Sequence, residues 1–254
     1  GFGHKIFVWE YLQIKYRDTH EIVLSDKIYP ESEFITFPNT SFTSEQHKIR
    51  AIKEDWNCIF NKIPMPNDRH RPLKLLEFDK ELEHLVYTKC MDMVGVHIRR
   101  GDLVDDGSKE YKEWLDSDND NWKDAYLDDE YYIKICDRIL EKNPRQIFYL
   151  STDATLDEVK FFTDRYDVVI SDNMLLHKKE RPKWGFAKGY GTPKIDLHDV
   201  TDLLALSYCK IFIASNSMWS EFASVYRKVP TKYPPNCFKT APRQGLYYVH
   251  DLHP

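Results

Sequence analysis

The chain has 254 residues, of which 42% are hydrophobic and 14% aromatic, and its formal net charge at pH 7 is -5. This composition supplies a substantial core, and the length suits two modest domains. The small negative charge argues against a dedicated nucleic-acid binder, which usually has a basic surface. The sequence contains no run of 18 apolar residues, so we expect no membrane span in this chain.

The five cysteines are far apart and show no C-x-x-C pair; they are Cys58, Cys90, Cys136, Cys209 and Cys237. An odd number at such spacings predicts neither a zinc site nor a disulfide framework. It fits a reducing compartment, and we therefore expect a cytoplasmic protein. We also expect no cofactor. Because the chain opens on Gly1 rather than methionine, a removed N-terminal anchor and a Golgi lumen location are the alternative.

The N-terminal part is predicted to combine a loop, helices and short strands. Gly1–Lys5 is expected to be a flexible loop, and apolar residues at helical spacing follow from Phe7 to Ile14. Strands are predicted at Ile22–Leu24 and Phe34–Phe37, and helices near Gln46–Trp56 and over Leu73–Tyr87.

From residue 92 onward, apolar strands alternate with helices. The predicted strands are Val94–Arg99, Ile147–Leu150, Val168–Ile170 and Ile211–Ala214, and the predicted helices are Tyr131–Glu141, Leu156–Tyr166, Val200–Cys209 and Trp219–Arg227. Such alternation predicts a parallel sheet with helices on both faces. We therefore expect an α/β protein with two Rossmann-like lobes, residues 1–91 and 92–254, and a ligand site in the cleft between them.

Charged side chains follow the first strand of the second lobe, in the segment His97–Asp102. Ligands dock at the carboxyl ends of parallel strands. Strand alternation places His97 and Arg99 on the face of Gly95, opposite the valines of the strand. The planar fork of arginine matches phosphate oxygens, so the segment predicts a site for a diphosphate. A solvated turn with a surface ion pair is the alternative.

Two further loops follow strands of the same lobe, Ser151–Asp153 and Ser215–Ser217, and we expect them on the same rim of the sheet. The second of them precedes a helix. Its N–H groups and hydroxyls can bind an anionic oxygen or simply cap that helix. The glycine-rich opening, Gly1–His4, is expected to close over the same phosphates from the other lobe.

The order of these segments resembles the fucosyltransferases that carry the H-x-R-R-G-D motif, and the α-1,2 type is the nearest pattern. The matching segments are His97–Asp102, Tyr131–Tyr132, Ser151–Asp153 and Asp202 through Ser217. The resemblance implies a GT-B fold with an acceptor-side lobe over 1–91 and a nucleotide-sugar-binding lobe over 92–254. It also implies inverting, metal-independent transfer of fucose from GDP-fucose to a hydroxyl of an oligosaccharide.

The resemblance also implies roles for individual residues. It places Arg99 on the β-phosphate, His97 and Asp202 near the guanine, and the serines at the phosphates. An aspartate can accept two hydrogen bonds from the guanine N1–H and N2–H₂ edge. The predicted donor-binding residues are Gly3, His4, His97, Arg100, Asp202, Ser215, Asn216 and Ser217. The predicted catalytic residues are Arg99, Asp102 and Asp153; the two aspartates are candidate general bases, with Glu10 and His4 as alternatives from the first lobe.

Departures from the family pattern leave other functions open. Met218–Phe222 replaces the usual Phe-Ser-Trp-Trp, and Ser151–Asp153 replaces Ser-Asp-Asp. A UDP-sugar donor such as UDP-xylose, a non-catalytic glycan-binding protein and a sugar-nucleotide hydrolase are therefore alternatives.

Asp116–Asp118 imitates a metal-binding D-x-D but lies in a polar loop, so we predict no metal site. Lys178–Lys194, rich in glycine and aromatic residues, is typical of a binding loop or of a surface excursion.

Overall fold

The computed structural model describes residues 2–19, 21–25, 35–43, 72–100, 127–154, 157–170, 197–226 and 231–232. The N-terminal part begins with a helix, and short strands and a second helix follow. Its elements are α1 (Phe2–Tyr16), β1 (Ile22–Ser25), β2 (Ile35–Thr36), β3 (Thr40–Thr43), a 3-10 turn (Pro72–Leu75), β4 (Glu77–Phe78) and α2 (Lys80–Cys90). Strand β1 pairs with β3 in parallel, and β2 pairs with β4 antiparallel.

The C-terminal part alternates strands and helices. Its elements are β5 (Val94–Ile98), α3 (Asp129–Lys142), β6 (Phe148–Thr152), α4 (Lys160–Thr163), β7 (Val168–Val169), α5 (Leu197–Tyr208), β8 (Ile211–Ile213), α6 (Met218–Tyr226) and β9 (Thr231–Lys232). The five strands form one sheet in the order β7-β6-β5-β8-β9, and all neighbours are parallel. The predicted α/β class with a parallel sheet is confirmed.

The sheet has an apolar layer on each face. Val94, Val96 and Ile98 of β5 pack on one face with α3 and α4, whose core residues include Tyr132 and Phe162. On the other face the core consists of residues from α5, α6, α1, α2 and the N-terminal strands. The predicted alternation of side chains along β5 is therefore confirmed.

The N-terminal elements do not form a second Rossmann-like sheet among the described residues, because only two pairs of strands are present there. Their apolar side chains join the core that also contains α5 and α6. The division into lobes at residue 91 stays a prediction.

None of the helices in these described ranges has the length and apolar character needed to cross a bilayer. Three of the cysteines lie within the described ranges, where they are free and buried: Cys90, Cys136 and Cys209.

The opening segment is a helix, and the prediction of a glycine-rich loop over Gly1–His4 is wrong from Phe2 onward. Gly3 and His4 lie in the first turn of α1. The helix buries Ile6 and Trp9 in the core, and such packing outweighs the roughly 1 kcal/mol that a helical glycine costs.

The buried face of α1 includes Tyr11 of the predicted apolar stripe and also two polar residues. The carboxylate of Glu10 accepts a hydrogen bond from the backbone N–H of Leu73 at 3.0 Å. The side-chain amide of Gln13 donates to the carbonyl of Pro38 at 3.0 Å. Both side chains are buried, and neither could be placed by counting apolar residues.

Other predicted elements agree within a few residues, with three exceptions. The predicted helix Leu73–Tyr87 is divided into the 3-10 turn, β4 and α2, because the Asp79 carboxylate accepts from the N–H of Leu82 at 2.9 Å and starts α2 as its N-cap. Helix α4 is shorter than predicted, and the strands β3 and β9 were not predicted. The predicted helix 46–56 lies outside the described residues.

The close packing of α5 on β5 depends on Gly95. A Cβ atom there would lie 3.1 Å from Cδ2 of Leu206 and 3.2 Å from Cβ of Cys209. We expect Gly95→Ala to lower the free energy of unfolding by about 1–3 kcal/mol, because the added methyl overpacks this contact. Urea unfolding of the two proteins measures the difference. An unchanged midpoint would show that α5 can move away without cost.

Candidate functional site

The candidate site lies where the order of the strands reverses. Strands β5, β6 and β7 follow one another outward, whereas β8 returns to the other side of β5. In open α/β sheets, this reversal leaves a crevice beyond the carboxyl ends of the two central strands. The segments that follow β5 and β8 contain Arg99 and Ser215–Ser217. The structure therefore brings the first and third predicted loops to one place.

His97 and three serines form a compact hydrogen-bonded cluster there. The Nδ1 atom of His97 lies 2.8 Å from Oγ of Ser215 and 2.8 Å from Oγ of Ser220. Oγ of Ser217 is 3.3 Å from the same nitrogen. His97 is 5% exposed and Ser215 is 2% exposed, so both are shielded from solvent, whereas Ser217 is half-buried.

The serines also shape the start of α6. Oγ of Ser217 accepts from the N–H of Ser220 at 3.2 Å, which makes Ser217 the N-cap. Oγ of Ser220 in turn accepts from the N–H of Ser215 at 3.0 Å. The capping role predicted for this loop is therefore present, and it brings hydroxyls and the positive end of the α6 dipole to the crevice.

Burial, assisted by the positive charge of Arg99, lowers the pKa of His97 from 6.5 to about 3. The imidazole is therefore neutral at physiological pH and contributes hydrogen bonds rather than charge.

Asp202 lies on α5 and faces the neighbouring strand β6. Its Oδ1 accepts from the hydroxyl of Tyr149 at 2.6 Å, and its Oδ2 accepts from Oγ of Ser151 at 3.1 Å. Asp202 is 4% exposed. Burial and the nearby Asp202 carboxylate raise the pKa of Tyr149 well above its usual value, so its hydroxyl stays a donor. Ser151 pairs with His97 across the strands, which links Asp202 to the cluster.

The two arginines that follow β5 have different surroundings. Arg100 is 2% exposed, and its Nη2 lies 2.6 Å from Oδ1 of Asp129 at the start of α3. Its guanidinium carbon is 5.8 Å from the ring centre of Tyr132. Arg99 is half-buried, and its carbonyl accepts from Nη1 of Arg100 at 3.0 Å. Arg100 therefore holds the turn that presents Arg99.

Arg100 should matter for stability. In Arg100→Ala, the turn after β5 loses the Asp129 pair and the contacts with aromatic rings. Removing one partner of a fully buried ion pair lowers the free energy of unfolding by about 3–5 kcal/mol. Because the side chain of Asp129 is 45% exposed, we expect a smaller decrease, of about 2–3 kcal/mol. Chemical denaturation checks the value. A loss below 0.5 kcal/mol, which is usual for surface substitutions, would contradict this role.

Asp153 also supports the turn, because its Oδ1 accepts from the backbone N–H of Arg100 at 2.7 Å. Asn216 is half-buried between the two clustered serines. Gly3 and His4 lie in α1, and the buried Glu10 binds the backbone of Leu73. Asp102 lies outside the described residues, as do Asp116–Asp118 and Lys178–Lys194.

Sequence reasoning missed the residues that support the site. Ser220, Tyr149 and Asp129 were not predicted as site residues, and Ser151 was predicted only as part of the Ser151–Asp153 loop. The position of Ser220, three residues after a serine N-cap, is a signal that could have revealed it. Tyr149 and Ser151 are two residues apart on β6, so both lie on the same face of the sheet as His97. Their contact with Asp202 depends on how α5 packs. In the described ranges, no group of three histidine, cysteine or acidic side chains is close enough to bind a metal ion.

Comparison with known proteins gives a limited result. No protein-family model matches the chain, and no curated protein matches it. Solved structures of POFUT1 are similar in the course of the backbone. POFUT1 in complex with GDP-fucose is 9% identical, with 80% of this chain and 56% of that chain covered and a TM-score of 0.40.

Two further structures give similar values. The apo form of POFUT1 is 11% identical, with 81% and 57% covered and a TM-score of 0.38. POFUT1 in complex with GDP is 9% identical, with 80% and 55% covered and a TM-score of 0.38. The chain therefore spans little more than half the length of these structures. Similarity at this level assigns neither a family nor an activity.

Proposed function

We propose that the chain is a metal-independent, inverting glycosyltransferase that takes its sugar from a nucleoside diphosphate, with GDP-fucose as the first candidate donor. The observation that carries the proposal is the convergence of Arg99 with the His97–serine cluster at the crevice between β5 and β8. The acceptor in this proposal is a hydroxyl of an oligosaccharide.

The diphosphate is assigned to the space between Arg99 and the start of α6. A guanidinium forms bidentate hydrogen bonds with phosphate oxygens. The first turn of a nine-residue helix, α6, adds backbone N–H groups and a favourable dipole. His97 is neutral because its pKa is about 3, so Arg99 supplies the positive charge that we assign to the phosphates.

The nucleoside is assigned to the side of Asp202. The two carboxyl oxygens accept hydrogen bonds from Tyr149 and Ser151 of β6, and a carboxylate oxygen can accept more than one hydrogen bond. Two acceptors held in a fixed orientation match the adjacent N1–H and N2–H₂ groups of guanine. Uracil offers no such pair of donors, which favours GDP over UDP.

In the proposed reaction, the acceptor oxygen forms a bond to the anomeric carbon while the bond to the β-phosphate oxygen breaks. The acceptor proton goes to a general base, and the nucleoside diphosphate leaves with the bonding electrons. Arg99 stabilises the negative charge that develops on this leaving group. Asp102 and Asp153 stay the candidate bases; the contact of Asp153 with the Arg100 N–H gives it a positioning role as well.

Thermal unfolding with added nucleotides tests the proposal. GDP at a hundredfold excess over its Kd stabilises a protein by about 2.7 kcal/mol, which corresponds to a rise in Tm of roughly 5–10 °C at this size. We expect GDP to give such a shift in the presence of EDTA, and Arg99→Ala to remove most of it. Arg145→Ala is the control, because Arg145 is exposed on the turn before β6, at the other end of the sheet.

The outcomes separate the alternatives. A shift with UDP but not GDP would favour a UDP-sugar donor such as UDP-xylose. No shift with either nucleotide, together with binding of oligosaccharides, would favour a non-catalytic glycan-binding protein. Products formed from GDP-fucose with and without an oligosaccharide distinguish transfer from hydrolysis.

A further inference from the structure

The cluster around His97 contains more hydroxyls than a single ring nitrogen can use. Nδ1 of His97 has two hydroxyl oxygens at 2.8 Å, from Ser215 and Ser220. A neutral ring nitrogen has either one proton or one lone pair. The protons of the serines therefore decide which form of the ring fits.

The positions of the serines indicate which groups in the cluster donate hydrogen bonds and which accept them. The hydroxyl of Ser215 is oriented to donate to Oγ of Ser217 at 3.2 Å, and in that arrangement its only proton is not available to His97. The short contact between Ser215 and Nδ1 then needs a proton on the nitrogen. Oγ of Ser220 fits the same arrangement, because it accepts from the N–H of Ser215 and lies 3.2 Å from Oγ of Ser215, to which it can donate.

We propose that the hydroxyls of Ser215 and Ser217 hold His97 as the Nδ1–H tautomer, which leaves Nε2 as a hydrogen-bond acceptor for the ligand. The proton on one imidazole nitrogen is set by the partner of the other. Nε2 has no hydrogen-bond partner within the described parts of the chain. The serines are thus positioning residues that act through His97.

This assignment restricts the ligand group that His97 can bind. An unprotonated Nε2 accepts a hydrogen bond and therefore selects a hydroxyl or an N–H. Phosphate oxygens act as acceptors and do not fit it. Ser217, whose Oγ already accepts from Ser215 and from the N–H of Ser220, keeps its own proton for an acceptor such as a phosphate oxygen. The ligand part of this inference rests on the proposed function, whereas the tautomer can be measured on the free protein.

Two-bond ¹H–¹⁵N correlation spectra of histidine-labelled protein report which ring nitrogen has the proton. We expect wild-type His97 to show a protonated Nδ1 and an unprotonated Nε2. Ser215→Ala should shift the proton to Nε2, because the hydroxyl of Ser220 is then free to donate to Nδ1. Ser217→Ala should do so at least in part, because Ser215 loses its acceptor and can turn to the ring.

Ser220→Ala is the matched control. Ser220 is as close to Nδ1 as Ser215 is, but without it the path from Nδ1–H to Ser215 and Ser217 stays intact, so the tautomer should not change. An Nε2–H tautomer in the wild type would overturn the proposal, and so would a shift in Ser220→Ala without one in Ser215→Ala. A merely structural role of these serines predicts no such pattern.

Ligands test the second part with the same spectra. We expect GDP to move the Nε2 resonance of the wild type as a new hydrogen bond forms there, and inorganic pyrophosphate to leave it nearly unchanged. If pyrophosphate gives the full change, or if bound GDP gives none, Nε2 does not select a donor group. If GDP does not bind at all, the proposed function is wrong. The spectra of the free protein still test the proposed tautomer of His97, because that measurement needs no ligand.

Discussion

Replacing Arg99 by lysine is expected to lower kcat for sugar transfer by about 10²–10³-fold. Loss of one well-placed donor to developing charge has an effect of this size, and a lysine cannot reproduce the planar fork of arginine. Arg99 follows β5 at the crevice, and its charge already lowers the pKa of the neighbouring His97. The measurement is the rate of transfer from saturating GDP-fucose to an oligosaccharide acceptor.

Arg145→Lys is the matched control for this substitution, because Arg145 is exposed at the opposite end of the sheet. It should keep the wild-type rate. We expect Arg99→Lys to fold normally, so its unfolding midpoint without nucleotide should stay close to that of the wild type. Full turnover in Arg99→Lys would show that the leaving diphosphate is stabilised elsewhere.

Acid should destabilise the protein through His97. Its pKa is about 3 in the folded chain, below the ordinary value of 6.5, so the unfolded chain takes up a proton first as the pH falls. The folded state thus loses stability progressively as the pH falls from about 6.5 toward 3. Within this window, the free energy of unfolding falls by about 1.4 kcal/mol for each pH unit. We therefore expect it to fall by about 3 kcal/mol between pH 6.5 and about 4.

His97→Asn isolates this effect from the other titrating groups. An asparagine amide can donate to Ser215 in place of Nδ1–H, but it does not titrate. The variant should be less stable than the wild type at neutral pH, and the difference should shrink by about 3 kcal/mol by about pH 4. Denaturation at a series of pH values measures both curves. Parallel curves would contradict a buried, neutral His97.

The C-terminal sheet could be predicted because its local signals agree. Val94, Val96 and Ile98 alternate with Gly95 and His97, and the helices predicted between the strands include α3, α5 and α6. The N-terminal part could not be predicted as well. There the core depends on Glu10 and Gln13, whose polar side chains are buried because backbone groups distant in sequence bind them. Periodicity of apolar residues does not detect such contacts.

The candidate site, too, could be predicted from the sequence only in part. The ends of β5 and β8 could be expected to meet, since both were predicted as strands of one parallel sheet, and this brought His97 near Ser215. The family resemblance gave Arg99 and Arg100 different roles, but it did not show that the side chain of Arg100 is buried. The partner of Arg100, Asp129, begins the next described helix. That contact depends on tertiary packing, and no spacing in the sequence indicates it.

A crystal structure with GDP tests the central claim most directly. The account predicts that the β-phosphate lies between the Arg99 guanidinium and the Ser215–Ser217 loop, with the guanine edge on the Asp202 carboxyl group. A diphosphate bound elsewhere on the chain, or an Arg99 side chain that makes no contact with it, would contradict the account.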